Sequence, residues 1–221
     1  MALNKGIVKI SVALMASGTG SNVKALLDHN YKGKVRPDYR CLITNNSRSG
    51  VMILSRERGI PSFHVSSYTH PVQSSFVTKI QEILFVHQTE LIVLAGYMKR
   101  LPREIVTQWR RRILNIHPAL LPGYGGRGMY GLAPHHAVLA ARESKTGVTV
   151  HLVDEDYDTG PILAQRMVKI FPSDDAEILS RRVKSVEHET YWRVVEQVVT
   201  DLAAGQDPAP TDLACSGYKS Y

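Results

Sequence analysis

The feature that most constrains this chain is a short apolar run, Ile7 to Met15. It is followed at once by Ala16-Ser17-Gly18-Thr19-Gly20-Ser21-Asn22 and then by an amphipathic stretch. A brief run rich in β-branched residues reads as a strand buried on both faces. Val23, Leu26 and Leu27 then fall on one helical face. Strand, glycine turn and helix together open a doubly wound parallel sheet.

The alternation continues along the chain. Strands are expected at Cys41 to Thr44, Ser62 to Val65, Leu91 to Ala95, Ile113 to His117, Gly147 to Val153 and Ile162 to Ile170. Helices are expected at Val51 to Arg58, Phe76 to Phe85, Pro102 to Trp109, Pro134 to Arg142 and Ala176 to Val199. Pro118 to Ala133 is a loop whose glycines suggest mobility. The expected fold is α/β: a Rossmann-like, doubly wound, mostly parallel sheet with helices on both faces. Residues 1–203 read as one domain, with halves of about 7–110 and 111–203, and 204–221 as a loosely held tail.

The glycine turn is not a dinucleotide fingerprint. That motif needs a third small residue for close helix packing, and position 23 is Val; it also needs an acid after the second strand, where Thr44-Asn45-Asn46 stands. What remains is a helix N-terminus with free N–H groups beside Ser21 and Asn22. It either binds a phosphate monoester or is merely capped by those side chains.

Charge bears on the same choice. The formal net charge is +7, but the basic residues are scattered, with Arg110-Arg111-Arg112 and Arg181-Arg182 the densest runs. Such a field steers small anions as well as polyanions, and the lack of clustering favours small anions, since nucleic-acid binding calls for clustered cations with interleaved aromatics. No apolar run reaches membrane-spanning length, and Met1-Ala2-Leu3-Asn4-Lys5 lacks a signal pattern. Cys41 reads as a buried thiol and Cys215 as a tail residue, a usage that fits a reducing cytoplasm.

Asn115-Ile116-His117-Pro118 is the most informative segment. On a strand, Asn115 and His117 share one face, and Pro118 ends the strand. An amide donor beside an imidazole suits acyl transfer: Asn stabilises an oxyanion and His handles the proton. Asp158, in the acidic loop after the strand at His151, sits at an adjacent strand end and can orient His117, raising its pKa. Gly160 supplies positive φ for that loop. No metal spacing is present; His135 and His136 are adjacent, do not share a helix face, and read as surface or loop packing.

Five segments in this order resemble the phosphoribosylglycinamide formyltransferases, folate-dependent enzymes of purine biosynthesis. They are Ser17 to Asn22, Leu94-Ala95-Gly96-Tyr97-Met98, Asn115 to Pro122, Asp154 to Pro161 and Glu187-His188, within a likeness running from Ile10 to Val199. The resemblance implies a catalytic trio of Asn115, His117 and Asp158, and formyl transfer from 10-formyltetrahydrofolate, as co-substrate, to the amine of glycinamide ribonucleotide. It implies that Gly20, Ser21 and Asn22 hold the phosphate, with Lys184 and Glu187 facing the same substrate. Met98, Lys99, Arg100 and Leu101, with Asn115 and Asp154, Glu155, Asp156, Tyr157 and Asp158, would form the folate site. Lys99 and Arg100 would also meet folate carboxylates. It implies no metal, no nucleic acid or membrane partner, and a monomer or homodimer.

Two features depart from the pattern. The loop Gly123 to Gly131 is longer and richer in glycine than in the family's shorter members, and no arginine for the folate tail is found near Gln73. Competing expectations are a folate-dependent formyltransferase acting on a sugar-nucleotide amine or aminoacyl-tRNA, a formyltetrahydrofolate hydrolase, a basic nucleic-acid-binding module, and a binding protein without activity.

Overall fold

The computed structural model describes residues 6–211, so Met1 to Lys5 and Cys215 lie outside the described residues. Seven strands form one sheet in the order β3-β2-β1-β4-β5-β6-β7. They are β1 (Val8–Met15), β2 (Val35–Thr44), β3 (Ser62–His64), β4 (Leu91–Leu94), β5 (Ile113–His117), β6 (Lys145–Leu152) and β7 (Ile162–Lys169). The first five run parallel. β6 and β7 run antiparallel to their neighbours, so the sheet is mostly parallel, as expected.

Alternation along β1 explains the layering. Val12 and Leu14 point to one face, into a core shared with Val23, Leu42, Val93, Leu114 and Val194. Ala13 and Met15 point to the other, among Ile43, Ile80, Ile92 and Ile105. The first face is covered by α1 (Ser21–Asp28) and α6 (Ala176–Ala203), the second by α3 (Gln73–Val86) and α4 (Arg103–Gln108). Burying each large aliphatic side chain contributes roughly 1.5–3 kcal/mol, so a strand apolar on both sides is stable only inside this sandwich.

The helix α6 is the long brace of the fold, about 42 Å at 1.5 Å per residue. Asp175 caps it by accepting from the Ile178 N–H at 2.7 Å. Leu179, Val183, Val186, Val194 and Val198 recur at helical spacing on its buried face. Tyr191 donates to the carbonyls of Leu94 at 2.9 Å and Leu114 at 3.3 Å, tying α6 to the end of β4 and the start of β5.

Three expectations are corrected. β6 is antiparallel to β5, so its end lies beside the start of β5, with Leu114 opposite Leu152 and the Val153 N–H on the Ile113 carbonyl at 2.9 Å. The acidic loop therefore doubles back over the sheet face instead of leaving from an adjacent strand end. Within it Asp158, not Gly160, holds a left-handed φ of 57°. The segment after α6 is not loose as far as it is described: Asp207 pairs with Arg111 at 2.8 Å, and Thr211 N–H donates to the Leu163 carbonyl at 2.8 Å.

Candidate active site

The strand order reverses between β1 and β4, which opens a crevice at the carboxyl ends of the parallel strands. Backbone contacts keep the crevice walls in place. Ser17 N–H donates to the Gly96 carbonyl at 3.0 Å, and Met98 N–H to Ser17 Oγ at 2.8 Å. A cavity of about 730 Å³ occupies the crevice. That is the size of a small-molecule site.

Its floor is the polar face of β5 and β6. Leu114 and Ile116 point into the core under α6, which sends Asn115 and His117 to the opposite face, where register places His151 and Thr149 beside them. Two loops cover this face in place of a helix. The Asp158 carboxylate is the hub. Its Oδ2 accepts from the Gly126 N–H at 2.9 Å and lies 3.6 Å from His117 Nδ1. Its Oδ1 lies 3.4 Å from both Asn115 Nδ2 and His151 Nε2.

The hydrogen bonds assign the histidine tautomers. His151 Nδ1 donates to the Leu152 carbonyl at 2.9 Å, so in the neutral ring Nε2 accepts from Asn115 Nδ2 at 3.1 Å. His117 Nε2 donates to the Tyr124 carbonyl at 2.8 Å, leaving Nδ1 to face Asp158. Only 3% of His117 is exposed. Burial lowers its pKa, and the opposing pull of Asp158 and the Tyr124 carbonyl does not overcome it. The expected upward shift of His117 is thus reversed. Burial would raise the Asp158 pKa, but the neighbouring His151 and His117 rings and the Gly126 N–H outweigh it, and the net shift is downward.

One wall is the first turn of α1. Gly20 precedes it with φ 84°, and a Cβ there would stand 2.8 Å from Val51 Cγ2, so only glycine fits the turn. No side chain caps this helix end, which removes the capping alternative and leaves its N–H groups open. Asn22 is buried, with Nδ2 3.5 Å from Glu187 Oε2 and Oδ1 without a partner. Glu187 is 7% exposed, and burial pushes its carboxyl up to about 7 against the Asn22 hydrogen bond and the charge of Lys184. Lys184, one helical turn earlier, is exposed and lines the same wall.

The facing wall is Met98 to Leu101 with Asp154 to Asp158. Met98 and Lys99 are exposed and Leu101 is buried. Arg100 donates to the Glu155 carbonyl, reaches Asp156 Oδ1 at 3.1 Å, and lies over the Tyr157 ring at 5.7 Å. Arg103 pairs with Glu155 at 3.2 Å. In this structure Arg100 thus meets the acidic loop. Asp154 braces the same loop, accepting from Thr159 Oγ1 at 2.7 Å.

The structure thus brings every residue named from the sequence to one cavity. It adds three that the sequence did not assign to the site. His151 becomes visible only once β6 is known to pair antiparallel to β5. Tyr97 lines the cavity with its hydroxyl buried and unpartnered. His135, read as surface packing, is 2% exposed in the cavity wall with Nδ1 unpartnered, and burial takes its pKa down to about 4. Pro134 in the first turn of α5 (Ala133–Ala140) was the available signal, since it starts the helix at the cavity and turns His135 inward. Its neighbour His136 is exposed, as expected.

A protein-family model described as formyl transferase matches residues 10–195. The chain belongs to the formyl transferase family. It is 39% identical over 185 residues to the chloroplastic phosphoribosylglycinamide formyltransferase of Vigna unguiculata, covering 84% of this chain and 59% of that one. It is 34% identical over 187 residues to the phosphoribosylglycinamide formyltransferase of Bacillus subtilis (strain 168), covering 85% and 93%. The solved phosphoribosylglycinamide formyltransferase of Coxiella burnetii superposes with a TM-score of 0.80 at 29% identity, covering 96% and 100%. The chain spans 59% and 63% of the lengths of its two plant relatives. The resemblance drawn from the five motifs is borne out at the level of the family.

Proposed function

We propose that this formyl transferase moves the formyl group of 10-formyltetrahydrofolate to the amine of glycinamide ribonucleotide. The products are formylglycinamide ribonucleotide and tetrahydrofolate, a step of de novo purine biosynthesis. The observation that carries the reading is the convergence of Asn115, His117 and Asp158 on a cavity floor, between an uncapped helix N-terminus and the wall of Met98 to Leu101 and Asp154 to Asp158.

The amine nitrogen attacks the formyl carbon, and the carbonyl oxygen becomes an oxyanion. Asn115 Nδ2 donates to that oxygen, and His117 joins it once its Nδ1 has taken up the proton that the attacking amine releases. Collapse breaks the bond between the carbon and the folate nitrogen, which takes up that proton. Asp158 keeps the imidazolium in place and passes that proton. Because Nε2 is tied to the Tyr124 carbonyl, Nδ1 is the nitrogen that works. At the other end the α1 turn and Lys184 receive the phosphate, and Glu187 the ribose or amine. Met98 to Leu101 and Asp154 to Asp158 hold the folate ring.

The same proposal treats residues 1–203 as one domain, supported by the single sheet that runs through it. It places the chain in the cytoplasm, supported by the buried, unpaired Cys41. Among the described residues no helix is long and apolar enough to cross a membrane.

The test is a formyl-transfer assay with glycinamide ribonucleotide, a sugar-nucleotide amine and water as acceptors. Transfer to glycinamide ribonucleotide alone is expected. Transfer only to another acceptor overturns the substrate, and absence of folate turnover overturns the reaction.

A further inference from the structure

We propose that Arg127 binds an anionic oxygen group of a substrate, either a phosphate or a carboxylate. We further propose that the glycine loop carrying it couples this contact to His117 and Asp158. The inference rests on the formyl-transfer reading of the cavity and adds a binding residue to it.

The loop between β5 and α5 is a built structure rather than the mobile one its glycines suggest. Its stem is fastened to β6 and β7. Thr149 Oγ1 accepts from the Leu121 N–H at 3.0 Å and donates to the Ala119 carbonyl at 2.7 Å, while Gln165 Nε2 donates to the Leu121 carbonyl at 2.8 Å. Tyr124 anchors the outer part, its hydroxyl donating to Glu143 Oε1 at 2.7 Å. The backbone then serves the catalytic side chains directly. The Tyr124 carbonyl accepts from His117 Nε2, and the Gly126 N–H donates to Asp158 Oδ2. A Cβ on Gly125 would collide with Leu121 and stand 3.2 Å from Asp158 Cβ, so the close approach requires glycine there.

Arg127 follows directly. It sits at the head of a turn closed by Met129 N–H on the Gly126 carbonyl at 3.1 Å, between Gly126 with φ 96° and Gly128 with φ 90°. Its side chain is exposed and lines the cavity. Among the described residues no carboxylate pairs with it. Arg100 and Arg103, by contrast, are taken up by the acidic loop across the cavity. A guanidinium held at a cavity rim with all five donors open is shaped for bidentate contact with phosphate or carboxylate oxygens. The residue next to it holds the catalytic carboxylate, so an anion that fixes Arg127 also fixes the clamp on Asp158.

The experiment is calorimetric titration of the full chain with two separate probes, ribose 5-phosphate and p-aminobenzoyl-triglutamate, comparing the unaltered protein with Arg127→Met and Arg127→Lys. Losing a charge-assisted contact is expected to weaken one probe by about tenfold to a hundredfold in Arg127→Met. Partial recovery is expected in Arg127→Lys. The probe affected identifies the source of the anion. Equal affinity of Arg127→Met and unaltered protein for every probe that binds overturns the proposal, as does failure of both probes to bind the unaltered protein. Turnover at saturating substrates is expected to fall in Arg127→Met, and unchanged turnover removes the coupling. Formyl transfer by the unaltered protein is followed in parallel. Probe binding that depends on Arg127, in a protein without transfer, refutes the functional reading and leaves the anion site standing.

Discussion

The two faces of β5 differ in kind. On one, Leu114 and Ile116 join the large core beneath α6, where nearly every neighbour is aliphatic. On the other, Asn115 and His117 meet His151, Thr149 and Asp158 under two loops. Five residues of one strand therefore belong to a packed interior and to a polar site, divided only by the pleat. The lesson is positional: the apolar side holds the strand rigid, and that rigidity keeps the polar side within hydrogen-bond reach of its partners.

Mutations on opposite sides should separate activity from stability. The largest effect is expected for His117→Ala, where turnover falls about 10³-fold. The stability cost is only about 1–2 kcal/mol, for the freed Tyr124 carbonyl. Steady-state kinetics with denaturant titration check it, and near-normal turnover removes His117 from the mechanism. Leu114→Ala is the mirror case: it should cost roughly 2–5 kcal/mol in denaturant titrations yet keep turnover near normal well below the unfolding midpoint. Loss of activity without loss of stability would erase the distinction between the faces.

A weaker contrast concerns the buried carboxyl of Glu187 across the cavity. Its pKa is raised to about 7, so the folded state holds a proton that the unfolded state has released, and stability falls as pH rises from about 4.5 to 7. Glu187→Gln should remove that fall, worth up to roughly 3 kcal/mol, in denaturation curves between pH 5 and 8. Identical slopes in the two proteins would show that Glu187 is not strained by burial. Smallest is Ser21→Asp at the α1 turn, which should weaken ribonucleotide binding about tenfold by placing charge where the phosphate sits. Calorimetry showing unchanged affinity would argue against the phosphate turn.

Much of this was legible in the sequence, for reasons that differ between the faces. Leu91–Leu94 declares itself because burial on both sides leaves an uninterrupted apolar run, and Ile113–His117 because apolar Leu114 and Ile116 alternate with polar Asn115 and His117. Asn115 and His117 stood out as polar residues alternating with Leu114 and Ile116 before Pro118, whereas Asp158 was singled out from its acidic loop by the family resemblance. Strand direction was not legible. Nothing local in Lys145–Leu152 distinguishes a parallel from an antiparallel strand, so His151 and the path of the acidic loop were missed. Net pKa shifts were missed for a similar reason. Asp158 beside His117 implies a raised imidazole pKa, but the opposing burial depends on which loops cover the ring. His135 was lost because adjacent histidines look alike in sequence, and only the start of α5 sends one inward.

The central claim is that the Asp158 charge, held on the polar face of β5 by loops, drives formyl transfer. Asp158→Asn tests it most directly, since asparagine keeps the size and tolerates the left-handed φ of 57° while removing the charge. Single-turnover formyl transfer to glycinamide ribonucleotide, measured beside the melting temperature, gives the answer. The account predicts a rate lower by at least about 10²-fold with the fold intact. A rate close to that of the unaltered protein would contradict it.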